Sequence, residues 1–266
     1  MKLFQLNYNR PGPGVRKDAP PQKPFIRFFA VLGRKFFDLI KLNLLFMIPV
    51  TAACVLAWLL TLVPQVADTY ITYLPFVFVS PFVAGLTIVT RNYAREEHAF
   101  IFSDFKDCVK ENWKAFLING FVYYAVMFII GFAVRYYSSM LGKSQVNFIL
   151  MVVCISILVI FISAQYYVPV MIVTFDLNLK QIYTNSLMFA IIGLWRNLLL
   201  TAVFALIAYG FYLMQSTLLT IIIGILIIIF LFFSFCMYLI NFTVYPLIEK
   251  LMIKPAEAES SGDEKN

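Results

Sequence analysis

The residue types that usually carry chemistry are few in this sequence and lie far apart. His98 is its only histidine, so one chain cannot build a histidine metal site or a relay between two histidines. No glycine-rich phosphate-binding loop occurs. The cysteines are too widely spaced for a metal knuckle or a disulfide framework: Cys54, Cys108, Cys154 and Cys236. We therefore expect no catalytic residue, no metal site, no cofactor and no enzymatic activity.

Uncharged polar side chains inside apolar stretches form a first candidate site. Gln165 lies deepest in its stretch and is followed by two tyrosines and Pro169. Amides and aromatic rings could bind a neutral sugar by hydrogen bonding and stacking. Hydrogen bonds between helices, worth about 0.6 kcal/mol each, explain the same residues more simply. The candidate polar path consists of Asn119, Gln165, Tyr166 and Asn241.

Residues 91–115 form a second candidate site, which is charged. Ser103 is expected as the N-cap of a helix with Asp104 in its first turn. Beyond Ser103, aromatic residues recur on one helix face and lysines on another. Such a helix either rests on anionic lipid head groups or docks a partner protein. The candidate docking residues are Arg91, Arg95, Ser103, Asp104, Phe105, Lys106, Lys110, Trp113 and Lys114.

Long apolar stretches must position both sets of residues. The chain is 62% hydrophobic and 13% charged, whereas soluble domains average about 45–50% and about 25%, so lipid is the expected solvent. We predict an all-α polytopic transmembrane helical bundle of about six spans. Pro75 and Pro81 predict that the second span is kinked or re-entrant. The expected spans are 39–63, 73–90, 116–134, 147–174, 198–213 and 218–246.

The distribution of positive charge predicts the orientation of these spans. Nineteen of the 21 lysines and arginines fall in the segments 1–41, 91–114, 180–196 and 250–266. Cytoplasmic loops retain Lys and Arg, so this alternation predicts that both termini lie on the cytoplasmic side of a plasma membrane. The expected partners of these charges are the lipid bilayer and its anionic head groups, and not nucleic acid.

Three regions are expected along the chain. Residues 1–24 are a cytoplasmic tail rich in proline and glycine, 25–254 are the membrane domain, and 255–266 are a polar C-terminal tail. An amphipathic interfacial helix that begins at Phe25 is expected to lead into the first span. Short recurring Asn-containing motifs suggest three helical hairpins, although chance explains them equally well.

Two stretches resemble the bacterial YesL-like membrane proteins, a family defined by a domain of unknown function. They are Tyr8-Asn9-Arg10-Pro11-Gly12-Pro13-Gly14 with the residues up to Pro20, and Gly85–Phe100 followed by Ser103-Asp104-Phe105-Lys106. The resemblance implies an inner-membrane protein with an accessory role in carbohydrate import. Glu96 departs from the pattern, since glycine is expected there in relatives, and a helical continuation at Glu96 would stiffen the loop.

Three functional hypotheses follow from these observations. The first is a non-catalytic accessory that docks a carbohydrate transporter or sensor subunit through helices 25–37 and 102–114. The second is a permease, or a permease subunit, for a neutral sugar or oligosaccharide. Residues 102–116 lack the Glu-Ala-Ala coupling loop of importer permeases, which counts against this hypothesis. The third is a membrane enzyme with unrecognised reactive residues. The sequence predicts no oligomeric state.

Overall fold

The computed structural model describes residues 23–67, 69–142 and 144–255, and all regular secondary structure within them is helical. Nearly all of the two expected tails, 1–24 and 255–266, lies outside the described residues. The α-helices are α1 Pro24–Thr61, α2 Ser80–Ala94, α3 Ile101–Ser139, α4 Gln145–Gln165, α5 Val168–Ile172, α6 Leu179–Ile192, α7 Leu194–Leu213, α8 Leu218–Ile227 and α9 Phe233–Ile248. The 3₁₀ segments are Tyr70–Val79 and Met214–Ser216, and the π segments are Ile228–Phe232 and Glu249–Ile253.

Six helical units are long and apolar enough to cross a membrane, which confirms the predicted all-α polytopic bundle. The architecture is that of a multi-pass membrane protein. The units are Pro24–Thr61, Tyr70–Ala94, Ile101–Ser139, Gln145–Ile172, Leu194–Ser216 and Leu218–Ile253.

The first and third units are much longer than their predicted spans. Residues 25–37 and 102–114 are helical as expected, but each continues into the following span without a break. At 1.5 Å per residue, the 38 residues of α1 extend about 57 Å. The hydrocarbon layer is only about 30 Å thick. Both amphipathic segments therefore prolong a span along its own axis instead of turning away as separate helices.

Proline positions explain the shape of two other units. Pro75 lies in the 3₁₀ segment and Pro81 lies at the start of α2, where its missing N–H breaks no helical hydrogen bond. The 25 residues of this unit are long enough to cross the hydrocarbon completely. Pro169 cannot donate to the carbonyl of Gln165, and the helix breaks at that point into α4 and α5.

The packed core lies toward the end of the bundle that holds Pro24 and Ile253. The buried residues of α4 are Ser163 and Ala164 at its C-terminal end, and those of α7 are Asn197 and Leu200 near its N-terminus. All five residues of α5 are buried. The opposite halves of the outer helices expose isoleucine, leucine and phenylalanine, as expected for surfaces in contact with lipid. Charged and polar groups near the core can therefore form defined sites.

Candidate functional site

A central cavity of about 620 Å³ lies where most of the spans converge. Its volume is within the range typical of small-molecule sites, about 300–1,000 Å³. The walls come from α1, the 3₁₀ segment, α2, α3, α9 and the junction between α4 and α5. The lining residues are Phe46, Val50, Tyr73, Phe76, Val77, Val79, Ser80, Val83, Asn119, Gly120, Tyr123, Tyr124, Met127, Gln165, Pro169 and Phe233.

Two amides of the predicted polar path meet at this cavity. Asn119 Nδ2 donates to Gln165 Oε1 at 3.2 Å, although the residues are 46 positions apart. Tyr183 of α6 donates its hydroxyl to Asn119 Oδ1 at 2.8 Å and fixes the orientation of that amide. Gln165 Nε2 is buried and has no hydrogen-bond partner in the described chain. The Gln165 amide therefore keeps both of its N–H donors unpaired at the cavity.

The other two residues of the predicted path lie elsewhere. The Tyr166 hydroxyl is 2.9 Å from Thr201 Oγ1, between the end of α4 and α7. Asn241 is fully buried in α9 and donates to Thr90 Oγ1 at 2.9 Å. Asn241 lines a different cleft, of about 490 Å³, near Arg27 and Tyr245 at the end of the bundle that holds the termini. The four residues therefore do not form a continuous path.

Aromatic side chains line much of the cavity wall, and the sequence analysis did not assign them to a site. Tyr73, Phe76 and Tyr123 line the cavity and are also exposed on the surface of the bundle. Tyr124 donates its hydroxyl to the Tyr70 carbonyl at 2.7 Å and so closes one side. Their position beside paired amides was not readable from the sequence, because aromatics are common at membrane interfaces.

The candidate docking residues do not share one surface. Arg91 points into the bundle, where Nη1 donates to the Val173 carbonyl at 2.9 Å and to Thr174 Oγ1 at 3.1 Å. Phe105 is buried against Gly85 of α2. Arg95 pairs with Glu97 at 2.7 Å. These interactions position helices: Phe105 is buried, and Arg91 is half-buried with its guanidinium engaged inside the bundle.

The predicted start of the third helix is wrong by about one turn. Phe100, and not Ser103, occupies the N-cap position. Asp104 lies in the first turn as predicted, and its carboxylate accepts a hydrogen bond from the Phe100 backbone N–H at 3.0 Å. Ser103 lies inside the helix and contacts Asp107 Oδ2 at 3.2 Å. The aspartate thus satisfies the backbone N–H of the N-cap residue itself, and no side chain caps the first turn from the N-cap position.

Three lysines remain on an open face of α3. Lys106, Lys110 and Lys114 are exposed, and no carboxylate of the described residues lies within ion-pair distance of them. Lys114 lies 5.6 Å from the ring centre of Trp113, which is also exposed. We call Lys106, Lys110, Trp113 and Lys114 the lysine stripe. An unpaired basic surface of this kind favours an anionic partner.

Glu96 adopts a conformation that the sequence analysis did not expect. The helix does not continue through this position, because α2 ends at Ala94 and Glu96 has a φ of +61°. The Glu97 N–H bonds the Asn92 carbonyl at 2.8 Å and the Glu96 N–H bonds the Tyr93 carbonyl at 3.0 Å, which is a Schellman motif. Glycine usually occupies this position of the motif, which is consistent with the glycine expected in relatives.

Two arginines of α1 hold the Glu96 carboxylate. Arg27 Nε donates to Oε1 at 2.8 Å, and Arg34 donates to Oε2. Arg27 also donates to the Ala94 carbonyl at 2.9 Å, which caps the end of α2. The hydrogen bond from Arg34, followed by that from Arg27, lowers the pKa of Glu96 below its usual value. We call this group the Glu96 clamp; it ties the amphipathic start of α1 to the loop between α2 and α3.

The described residues contain no group of three or more His, Cys, Asp or Glu side chains that could hold a metal ion. The cysteines of this part are free thiols. His98 packs its ring at 4.6 Å from that of Phe100.

Comparison with known proteins identifies one match. A family model described as a protein of unknown function, DUF624, matches residues 39–134. The matched region runs from the middle of α1 to near the end of α3 and includes the lysine stripe, Glu96 and 13 of the 16 residues that line the cavity. No curated protein and no solved structure matches the chain. The match therefore indicates an uncharacterised domain family.

Proposed function

We propose that this chain is a non-catalytic protein of the bacterial plasma membrane that assists carbohydrate uptake by docking a transporter or sensor subunit. The lysine stripe is the observation that supports docking most directly. Its three ammonium groups extend over about 12 Å of helix and form no ion pair with any of the described residues. An acidic surface on another membrane protein would complement them.

The resemblance to the YesL-like proteins supports the carbohydrate role and the assignment to a bacterial inner membrane. The distribution of lysine and arginine supports cytoplasmic termini, which would place the lysine stripe on the cytoplasmic side. Anionic head groups are the competing partner of the same lysines, since a basic helix near a membrane surface attracts acidic lipids.

Charge reversal of the lysine stripe tests whether the stripe docks a protein subunit or only contacts lipid head groups. The variant K106E/K110E/K114E should lose co-purification with a carbohydrate importer subunit from native membranes, while it still inserts and folds. A matched control, K23E/K180E/K250E, changes the same charge at exposed lysines that also lack an ion pair among the described residues. The control should retain the subunit. Equal retention by both variants would refute docking through the stripe.

The alternative function is a permease, or a permease subunit, for a neutral sugar or oligosaccharide. The paired amides of Asn119 and Gln165 beside aromatic rings support it, because both groups can bind sugars. Purified protein in liposomes should then move a labelled neutral oligosaccharide without another subunit. The absence of flux in liposomes that contain folded protein would count against this function.

A further inference from the structure

The central cavity is lined by uncharged and mainly apolar side chains. Its lining includes no lysine, arginine, aspartate or glutamate. A net charge placed inside would lose its hydration without gaining a partner, which is strongly unfavourable in a low-dielectric site. The part of any ligand that occupies the cavity is therefore uncharged.

Three of the six polar side chains of the lining already donate a hydrogen bond to a neighbouring group. Ser80 donates to the Val77 carbonyl at 2.6 Å, and Tyr124 donates to the Tyr70 carbonyl at 2.7 Å. Asn119 is engaged by Gln165 and Tyr183. A sugar carries a hydroxyl on nearly every carbon and would leave most of them unpaired here, at a cost for each buried group.

Water is also a poor occupant of this volume. About 620 Å³ corresponds to roughly twenty water molecules at about 30 Å³ each. A stable buried water needs two to four polar partners, and the walls are chiefly aliphatic and aromatic. A single water near Gln165 could satisfy Nε2, but the remaining space would still favour an apolar occupant.

The position of the cavity identifies the source of such an occupant. The cavity lies among membrane-spanning helices, and the rim residues Tyr73, Phe76 and Tyr123 are exposed on the outer surface of the bundle. Lipid is the solvent of that surface. A chain that enters between these aromatic rings would reach the amide pair at the α4–α5 junction.

From these observations we infer that the central cavity binds an uncharged, single-chain amphiphile, whose acyl chain fills the apolar walls and whose ester or hydroxyl oxygen accepts a hydrogen bond from Gln165 Nε2. The inference does not depend on the docking function, because the lysine stripe (106–114) precedes the part of α3 that lines the cavity (119–127). Monoacylglycerols and fatty alcohols have the required chemistry: one chain, no charge and a small polar group.

The test uses the full chain in vesicles of phosphatidylcholine and phosphatidylglycerol. A monoacylglycerol with a photoactivatable diazirine in its chain is the probe, and peptide mass spectrometry maps the adducts. We expect saturable labelling of cavity residues such as Val50 and Met127 that unlabelled monoacylglycerol suppresses. Labelling that does not saturate, or that maltotriose suppresses instead, would overturn the inference.

Two variants test the site itself. Met127→Trp should fill the cavity and reduce saturable labelling at least about five-fold, whereas Met188→Trp, on an exposed face of α6, should leave it unchanged. Gln165→Met should weaken probe affinity about three- to ten-fold, the usual range for one hydrogen bond. Thermal unfolding identifies any variant that is not folded. Equal labelling of folded Met127→Trp and Met188→Trp would contradict the inference.

Discussion

The buried amide of Asn43 in α1 forms hydrogen bonds with the backbone of an irregular segment between α8 and α9. Its Nδ2 donates to the carbonyls of Ile228 and Ile229 at 2.9 and 2.7 Å, and its Oδ1 accepts from the Ser234 N–H at 2.9 Å. Ile228 and Ile229 begin the π segment Ile228–Phe232, where the regular helical hydrogen bonds are displaced, and Ser234 follows it closely. In lipid such groups have no water to bond. Asn43 therefore stabilises the irregular turn.

Removal of this amide should destabilise the protein strongly. Asn43→Leu removes three hydrogen bonds to backbone groups inside the bundle, and we expect a loss of about 2–4 kcal/mol in the free energy of unfolding. Asn112→Leu is the matched control, because Asn112 bonds the Cys108 carbonyl of its own helix. The control should cost less than about 1 kcal/mol. Thermal unfolding in detergent measures both, and equal losses would contradict this role of Asn43.

Glu96 combines an unfavourable backbone conformation with favourable ion pairs. A non-glycine residue with positive φ costs about 1–2 kcal/mol. The Glu96 carboxylate is about 39% exposed, so its pairs with Arg27 and Arg34 contribute about 0.2–1 kcal/mol each. Glu96→Gln should therefore lower the unfolding temperature. Glu96→Gly should recover roughly 1 kcal/mol relative to Glu96→Gln, because it relieves the backbone. A Glu96→Gly variant less stable than Glu96→Gln would refute this account.

The same carboxylate gives a pH dependence with a defined sign. The arginines lower the pKa of Glu96 in the folded protein below the usual 4.5. Its stabilising contribution is therefore complete above pH 4.5 and is lost as the pH falls through the lowered value. The difference in unfolding temperature between the wild-type chain and Glu96→Gln should disappear in that acidic range. A difference that grows on acidification would contradict the ion pairing.

At the scale of elements, the hairpin of α2 and α3 depends on a close approach at Gly85. A Cβ atom at this position would overlap the Phe105 ring, whereas a Cβ at Gly131 of α3 would meet nothing within 4 Å. Gly85→Ala should therefore cost about 1–3 kcal/mol through overpacking. Gly131→Ala should be neutral or stabilise the helix by up to about 1 kcal/mol. Similar unfolding temperatures for the two variants would show that α2 and α3 can separate without cost.

The elements also show what sequence patterns can and cannot predict. Hydropathy predicted all six spans, because length and apolar content are properties of each segment alone. Hydropathy did not predict that Asn119 and Gln165 would meet, or that Arg91 would turn inward to the Val173 carbonyl. Helix α4 is apolar on nearly all sides, so its sequence does not fix which face meets its neighbours.

At the scale of the whole molecule, the core is concentrated at the end of the bundle that holds the termini. One hydrophobic cluster, around Tyr167, Met171 and Ile248, lies there, and a second begins there around Leu39 and Tyr238 and extends along α1 to Ala53. Tyr238 donates its hydroxyl to the Phe28 carbonyl at 3.0 Å and links α9 to the start of α1. The Glu96 clamp, Arg91 and the lysine stripe lie at the same end. If the charge distribution sets orientation, this ordered end faces the cytoplasm.

That orientation can be measured with cysteines at exposed positions. Cys108 is unsuitable as an internal marker, because its thiol is buried and lies 3.5 Å from the Ala84 carbonyl. Gln65→Cys and Lys110→Cys are exposed positions at opposite ends of the bundle. They should be introduced into a chain in which Cys54, Cys154 and Cys236 are replaced by alanine. A membrane-impermeant maleimide should label Gln65→Cys in intact cells, and Lys110→Cys only after permeabilisation, because the cationic loops stay in the cytoplasm. The reverse pattern would place the lysine stripe outside the cell and would refute docking to a cytoplasmic surface.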